Sequence, residues 1–510
     1  MIKKKIKLSP IMTFMILTFL TIVLSGFLHF INVQAEYVTV NTATNELTNN
    51  IVEVKNVFST TGIKHIVTTA VSGFVNFEPL SMLIIILIGI GVLEKSGFMK
   101  TFFTILTRSA KKFSLTFTLI LLCLLFSFLG DIGFVIMLPL GALLFKYGKR
   151  NPLGGIIASF ASLSFGYGIN VFLSSNESSL LTITLKAARL VDINYSIKVF
   201  FALFIMIVML VVTAVAFTLI TEKKIMPKLP RYESEIEDTV ITKKELRGLI
   251  IGLAAGFLYL LLVVYLVIPG LPLSGALLDK GATRYVDMLF GVNSLFSKGF
   301  IFIMTLLFVV VGLGYGLMTR KIKNNKDLTE SLGFSLDGIG SILVLIFFAS
   351  LFINVFELSN IGIVITAAFS RVISSLSFTG IWLILIVFII IGVSNIFCPS
   401  SIVKWNILSA AMVPLFMNAS ISPEFTQIIF SAGDAVTNGL TPLLIYFVIY
   451  IAFMEKYNKD EEMITLFGSI KYMIPYAYTS FIIWMIVLVG WYMLGVPIGI
   501  GALPGVSYGA

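Results

Sequence analysis

The chain is poor in the groups on which enzyme chemistry usually rests. Its 510 residues include only two histidines, His29 and His65, and two cysteines, Cys123 and Cys398. It has no His-Glu-x-x-His zinc motif and no Gly-x4-Gly-Lys-[Ser/Thr] phosphate loop. Both thiols lie in apolar runs, which implies packing rather than a disulfide. Charge is scarce too. Asp, Glu, Lys and Arg make up 12% of the chain, where a soluble domain has about a quarter. These shortages exclude a histidine-based metalloprotease, a built-in ATPase, a cytosolic enzyme and a disulfide-stapled secreted domain. No cofactor is expected, and no nucleophile–base pair stands out.

Apolar residues are abundant instead. They form 58% of the sequence, with 45 Phe and 40 Gly, and the mean hydropathy is +1.01. At about 20 residues per span, this length allows on the order of ten crossings of a bilayer. The expected fold class is therefore an all-α polytopic membrane protein with lipid as its surroundings. The net charge of +10 does not point to nucleic acid. Lys and Arg fall mostly in short loops between apolar runs, as the positive-inside rule expects of cytoplasmic loops. This places the N-terminus on the cytoplasmic side of a cell (inner or plasma) membrane.

Leu8 to Val33 reads as an uncleaved first helix, because it is longer than a signal-peptide core of about 7–15 residues. The Thr/Asn-rich stretch from Glu36 to about Ser72 reads as an external loop. The apolar run Phe113–Phe145 is broken at Gly130-Asp131, which leaves two arms too short to span comfortably. They form a re-entrant hairpin or two short spans. Leu153–Leu173 then unwinds at Gly166-Tyr-Gly-Ile-Asn170 and the polar Ser174–Ser179. The charged segment 222–247 separates a first membrane half, 1–221, from a second, 248–510. The second half repeats the irregularities: an interrupted pair of arms around Ser394–Ser401, then a helix broken at Gly433–Gly439.

Two halves, each with a broken hairpin followed by a broken helix, are the pattern of a secondary transporter with inverted repeats. In such folds half-helix N-termini attract anions, while freed carbonyls and side-chain oxygens hold cations. The breaks supply Asn170, Ser174, Ser175, Asn395, Ser400, Ser401, Thr437, Asn438 and Thr441. Na⁺ is expected near Asn170, Asn395 and Asn438 if it is the coupling ion, and H⁺ is the alternative. Four charges, Asp131, Glu177, Lys404 and Asp434, sit at the same breaks. A charge in an apolar segment costs about 2.5–3.5 kcal/mol, so each needs a use or a partner. The competing reading of Asp131 and Asp434 is structural capping of half-helices. Trp405, beside Lys404, either stacks on an aromatic substrate or packs.

These motifs resemble the AbgT family of p-aminobenzoyl-glutamate transporters. The likeness covers most of the chain. It rests on Gly91-Val-Leu-Glu-Lys-Ser-Gly97, Asp131-Ile-Gly-Phe-Val-Ile-Met-Leu-Pro139, Arg150-Asn-Pro-Leu-Gly154, Lys404-Trp405, Ser422-Pro-Glu-x-Thr-Gln427 and Gly433-Asp434-x-x-Thr-Asn438-x-x-Thr-Pro442. The resemblance implies about nine transmembrane helices plus two re-entrant hairpins in a homodimer. It implies cation-coupled movement of aminobenzoyl-glutamate, or export of sulfonamide-like antimetabolites. It places functional roles on Glu177, Trp405, Asp434 and Pro442. Two positions depart from the family pattern. Ser431 stands where the family has Arg, and Ile402 where it has Ser. The cargo implied is a small organic anion. Dicarboxylate or inorganic-ion transport, or an ion channel, are the rival readings.

Overall fold

The computed structural model describes residues 7–40, 46–108, 110–169, 171, 174–233, 240–291, 293–458 and 463–506. Asn170 lies outside the described residues. Nine helices among those described are long and apolar enough to cross a membrane by length and composition. Their starts follow local capping chemistry. The Ser9 hydroxyl accepts from the Met12 N–H at the head of Pro10–Phe30. Thr242 and Glu245 form a reciprocal capping box before the long helix Lys243–Val267. That helix is the least enclosed of the nine: Ile250, Phe257, Leu258 and Leu262 are all exposed. Such a surface is stable only against lipid or another apolar partner.

The total of nine is reached differently from the sequence expectation. Two of the nine, Lys112–Leu129 and Gly380–Phe397, are first arms of the two interrupted pairs. The two helices expected to unwind appear as shorter pieces. The first gives Pro152–Phe165 and Ser175–Ala188, of 14 residues each. The second gives Pro423–Ala435 and Phe447–Tyr457, of 13 and 11 residues. At 1.5 Å per residue none of these pieces alone reaches across a core of about 30 Å.

In the first interrupted pair, Lys112–Phe126 passes through a 3-10 turn at Ser127–Leu129 and restarts as Ile132–Tyr147. Gly130 makes the corner with φ of 58° and ψ of −128°, a conformation that side chains with a Cβ avoid. In the second, Gly380–Phe397 and Ser401–Asn418 are 18 residues each. These arms run further toward the tip than the sequence suggests. Ser394 and Asn395 stay helical because their side chains bond neighbouring elements instead of competing for their own backbone.

One expectation needs correction. Among the described residues the fold is helical apart from one two-stranded hairpin, and Glu36–Ser72, which holds most of it, is not a bare loop. Gln34–Val40 pairs antiparallel with Leu47–Glu53, and Thr60–Val75 is a helix capped by Ser59. The β-branched residues Val38, Thr39, Val40, Ile51 and Val52 favour strands. Ala35 and Val54 at the base of the hairpin bury against Ile361, Val364 and Ile407, so the ribbon is seated on two helices, Ile361–Ser374 and Ser401–Asn418. On the opposite end, Arg150 pairs with Glu222 at 2.6 Å and donates to the Thr116 hydroxyl at 2.7 Å. Glu222 lies in a π-helical turn, Thr221–Ile225. This knot fastens the start of the 222–247 segment to the first interrupted pair.

Candidate functional site

The four interruptions come together in space. Gly168, at the first helix break, lies so close to the second broken helix that a Cβ there would sit 2.8 Å from the Ser431 carbonyl oxygen. Each interrupted pair also satisfies the backbone of the helix break that follows it. The Ser127 hydroxyl donates to the Ile169 carbonyl at 3.2 Å. The Asn395 amide donates to the Asp434 carbonyl at 2.7 Å. Thr437 and Thr441 return the favour, donating to the carbonyls of Gly392 and Ile396 at 2.8 Å each. Unwound backbone at membrane depth needs such partners.

The second pair and the second break enclose a charged cluster. Lys404 is 0% exposed and Asp434 2%. The Lys404 ammonium is ion-paired to Asp434 Oδ1 and donates to Asn395 Oδ1 at 2.5 Å. Ser401 donates to Asp434 Oδ2 at 2.5 Å, and Asn395 Nδ2 reaches Asn438 Oδ1 at 2.8 Å and Thr437 Oγ1 at 3.1 Å. Asp434 does not cap a helix N-terminus. It sits in the last turn of Pro423–Ala435, the negative end of the helix dipole, where a carboxylate is unfavourable unless a cation accompanies it. Lys404 supplies that cation.

A second chain of bonds links Trp405 to Glu177. Trp405 Nε1 donates to Thr184 Oγ1 at 2.9 Å, and Thr184 Oγ1 donates to Gln427 Oε1 at 2.6 Å. Gln427 Nε2 then donates to Glu177 Oε1 at 2.9 Å. Trp405 is fully enclosed and packs on Phe430 with ring centroids 4.4 Å apart. Glu177 lies in the first turn of its helix, its N–H accepted by Ser174.

The sites named from the sequence thus fall into groups. Asn395, Ser401, Lys404, Asp434 and Asn438 form one bonded cluster. Trp405 and Glu177 belong to the bridge through Thr184 and Gln427. Pro442 follows Thr441 beside the cluster. Asp131 and Ser400 border a cavity of about 560 Å³. Asp131 takes the position before its helix but makes no side-chain cap bond. That cavity touches all four interruptions: Asp131 from the first tip, Tyr167 and Asn176 from the first break, Pro399–Ser401 from the second tip, and Asn438 from the second break. Its far wall is Ile353, Phe356 and Glu357. A neighbouring cavity of about 480 Å³ shares Asp131, Tyr167 and Asn176, and adds Glu78 and Lys298. A larger one, about 970 Å³ between Lys7, Lys228, Met463 and Tyr472, touches none of the interruptions.

Sequence reasoning missed Thr184, Glu78 and Glu357, and named Gln427 only within a motif, without a role. Thr184 stands seven residues after Glu177, two turns along the same helix face, which is a readable signal. Glu78 opens an apolar helix and Glu357 closes one, so both read as ordinary end charges.

Comparison with known proteins gives a consistent picture. The sequence profile of the AbgT putative transporter family matches residues 5–506. The p-aminobenzoyl-glutamate transport protein of Escherichia coli K12 is 26% identical over 458 residues, which is 89% of this chain and 88% of the relative. Neisseria gonorrhoeae MtrF, whose structure is described as illuminating a class of antimetabolite efflux pumps, is 27% identical over 98% of each chain with a TM-score of 0.50. The Alcanivorax borkumensis YdaH transporter is 24% identical over 96% of this chain and 100% of its own, with a TM-score of 0.48.

Proposed function

Because the chain belongs to the AbgT transporter family, and is a multi-pass membrane transporter rather than an enzyme, we propose that it moves a small organic anion coupled to a cation. One observation carries this reading: a single cavity of about 560 Å³ is bordered by both hairpin tips and both helix breaks. That volume suits a small ligand. Two half-helices start at its wall, at Asp131 and at Ser400–Ser401, and neither start has a side-chain cap bond. Their first-turn N–H groups are suited to a carboxylate. Phe356, Phe397 and Tyr167 line the same space and offer apolar walls to an aromatic ring. The coupling cation is H⁺ or Na⁺, with Asp131, Glu177 and Asp434 as the acids at the breaks.

In this proposal the interrupted pairs are re-entrant hairpins, and halves 1–221 and 248–510 are inverted repeats joined by a cytoplasmic 222–247 segment. The parallel bonds Ser127 to Ile169 and Asn395 to Asp434 support that pairing. The N-terminus is cytoplasmic and the protein is a homodimer. Ser431 bears on the cargo. An Arg there would offer a bidentate contact to a substrate carboxylate, and the Lys404 ammonium is already committed to Asp434 and Asn395. A monoanion such as p-aminobenzoate or a sulfonamide then suits this site better than aminobenzoyl-glutamate. The test is counterflow in liposomes with labelled p-aminobenzoyl-glutamate, p-aminobenzoate and a sulfonamide, under separate Na⁺ and H⁺ gradients. Exchange of at least one, accelerated by a gradient, is expected. Failure of all three, or ion currents far above carrier rates, overturns the proposal.

A further inference from the structure

We propose that Lys404 is a tethered resident cation: its ammonium fills the position at Asp434 that Na⁺ would take, and removing it turns the same oxygens into a Na⁺ site. The inference deepens the transporter reading and rests on it only in placing this cluster within the transport core.

The oxygen set is of the kind that hard cations select. Asp434 Oδ1 and Asn395 Oδ1 both hold the ammonium. Asp434 Oδ2 and Ser401 Oγ lie beside them, 2.5 Å apart, and Asn438 Oδ1 is 2.8 Å from the Asn395 amide nitrogen. Carboxylate, amide and hydroxyl oxygens are the usual ligands of such ions. The charge balance is also closed. One ammonium faces one carboxylate, both withdrawn from solvent, and the carbonyl end of Pro423–Ala435 adds partial negative charge. The Phe430 ring lies 6.0 Å from the ammonium and adds a weak attraction of the same sign. A Na⁺ added here would have to displace the ammonium from two of its oxygens, and would leave an uncompensated positive charge at a buried site. The native residues therefore do not fit a Na⁺ at Asp434. Because Lys404 is covalently held, its cation cannot leave with the cargo. A dependence on Na⁺, if the protein has one, would arise elsewhere than at Asp434.

Lys404→Met reverses the balance. It keeps an unbranched chain of similar size, removes the positive charge, and leaves a carboxylate and its neighbouring oxygens around the space the ammonium held. A monovalent cation is what that space then lacks.

The experiment is thermal unfolding of the purified full chain, titrated with NaCl against N-methyl-D-glucamine chloride at constant ionic strength. A ligand that binds only the folded state raises the unfolding midpoint with its concentration. We expect the wild type to respond to Na⁺ no more than Lys404→Met/Asp434→Asn, which has neither charge. Lys404→Met should rise by several degrees more in Na⁺ than either of them. A wild-type midpoint that climbs with Na⁺ as steeply as the variant's overturns the inference, and so does a folded Lys404→Met with no response. If Lys404→Met does not fold in either salt, Lys404→Gln is read by the same criteria, since its neutral amide can still donate to Asn395. The counterflow assay separates the two claims. A wild type as Na⁺-responsive as Lys404→Met that still exchanges substrate loses this inference and keeps the proposed function. A protein with the expected Na⁺ pattern but no exchange does the opposite.

Discussion

Lys404→Met leaves the Asp434 carboxylate buried at the carbonyl end of its own helix, with Ser401 still donating to it. Asp434→Asn leaves the ammonium buried beside the Asn395 amide oxygen. For unit charges roughly 3 Å apart at an effective dielectric near 20, Coulomb attraction is about 5–6 kcal/mol. Removing one member of a buried pair typically costs about 3–5 kcal/mol, because the survivor is left uncompensated. The double variant, Lys404→Met/Asp434→Asn, has no stranded charge. Its remaining cost is mainly the unpaired Asn395 oxygen, about 1–3 kcal/mol. Each single variant should therefore lose a large share of a total stability of about 5–15 kcal/mol. The double should be more stable than either single, with a coupling of at least about 3 kcal/mol. The assay is denaturant unfolding in mixed micelles in Na⁺-free buffer, with coincident probes to establish a two-state transition. Costs that simply add to within about 0.5 kcal/mol would refute the reasoning. The pair would then be held by packing and not by its charges.

Three further outcomes are expected. Single cysteines should report the orientation: Thr48→Cys reacts with an impermeant thiol reagent in intact cells and Val240→Cys does not, both positions being exposed. The reverse pattern would invert the proposed topology. Gly130→Ala should cost about 1–3 kcal/mol in unfolding measurements even though nothing lies within 4 Å of the added Cβ, because its φ of 58° with ψ of −128° is strained for any side chain. A neutral result would mean that the first tip relaxes freely. Ser431→Arg should raise the affinity for p-aminobenzoyl-glutamate by about tenfold or more, the worth of a charged contact of about 1.5–3 kcal/mol. Calorimetric titration checks it. Tight wild-type binding that the arginine leaves unchanged would mean that the departure at Ser431 has no consequence for cargo.

Much of this architecture is written in the hydropathy. A chain with 12% charge has few places to break, so Gly130-Asp131, Gly166–Ser179, Ser394–Ser401 and Gly433–Gly439 stand out as interruptions, and the structure brings all four to one cavity. The bonded partners were less legible. That Lys404 meets Asp434 depends on the second hairpin folding back over the second broken helix, a contact across 30 residues that periodicity does not encode. The bonds that join Thr184 to Gln427 and Gln427 to Glu177 were hidden for the same reason, since they cross 243 and 250 residues of sequence. The ribbon Gln34–Val40 and Leu47–Glu53 was masked by composition: Thr and Asn suit loops as well as strands, and only its burial against Ile361 and Ile407 decides the matter. Capping of a half-helix was the competing reading of Asp434, yet the residue closes a helix, where a carboxylate is disfavoured. Such local conflicts are expected at functional sites.

The claim that the shared cavity is the transport site is tested most directly by filling it. Ser400 borders it from the second hairpin tip, whereas Met463 borders the larger cavity that touches no interruption. Exchange of labelled p-aminobenzoate is measured in liposomes holding equal amounts of folded wild type, Ser400→Trp or Met463→Trp. The account predicts that Ser400→Trp loses exchange while Met463→Trp keeps it. Retained exchange in Ser400→Trp, with loss in Met463→Trp, would contradict it and move the site to the other cavity.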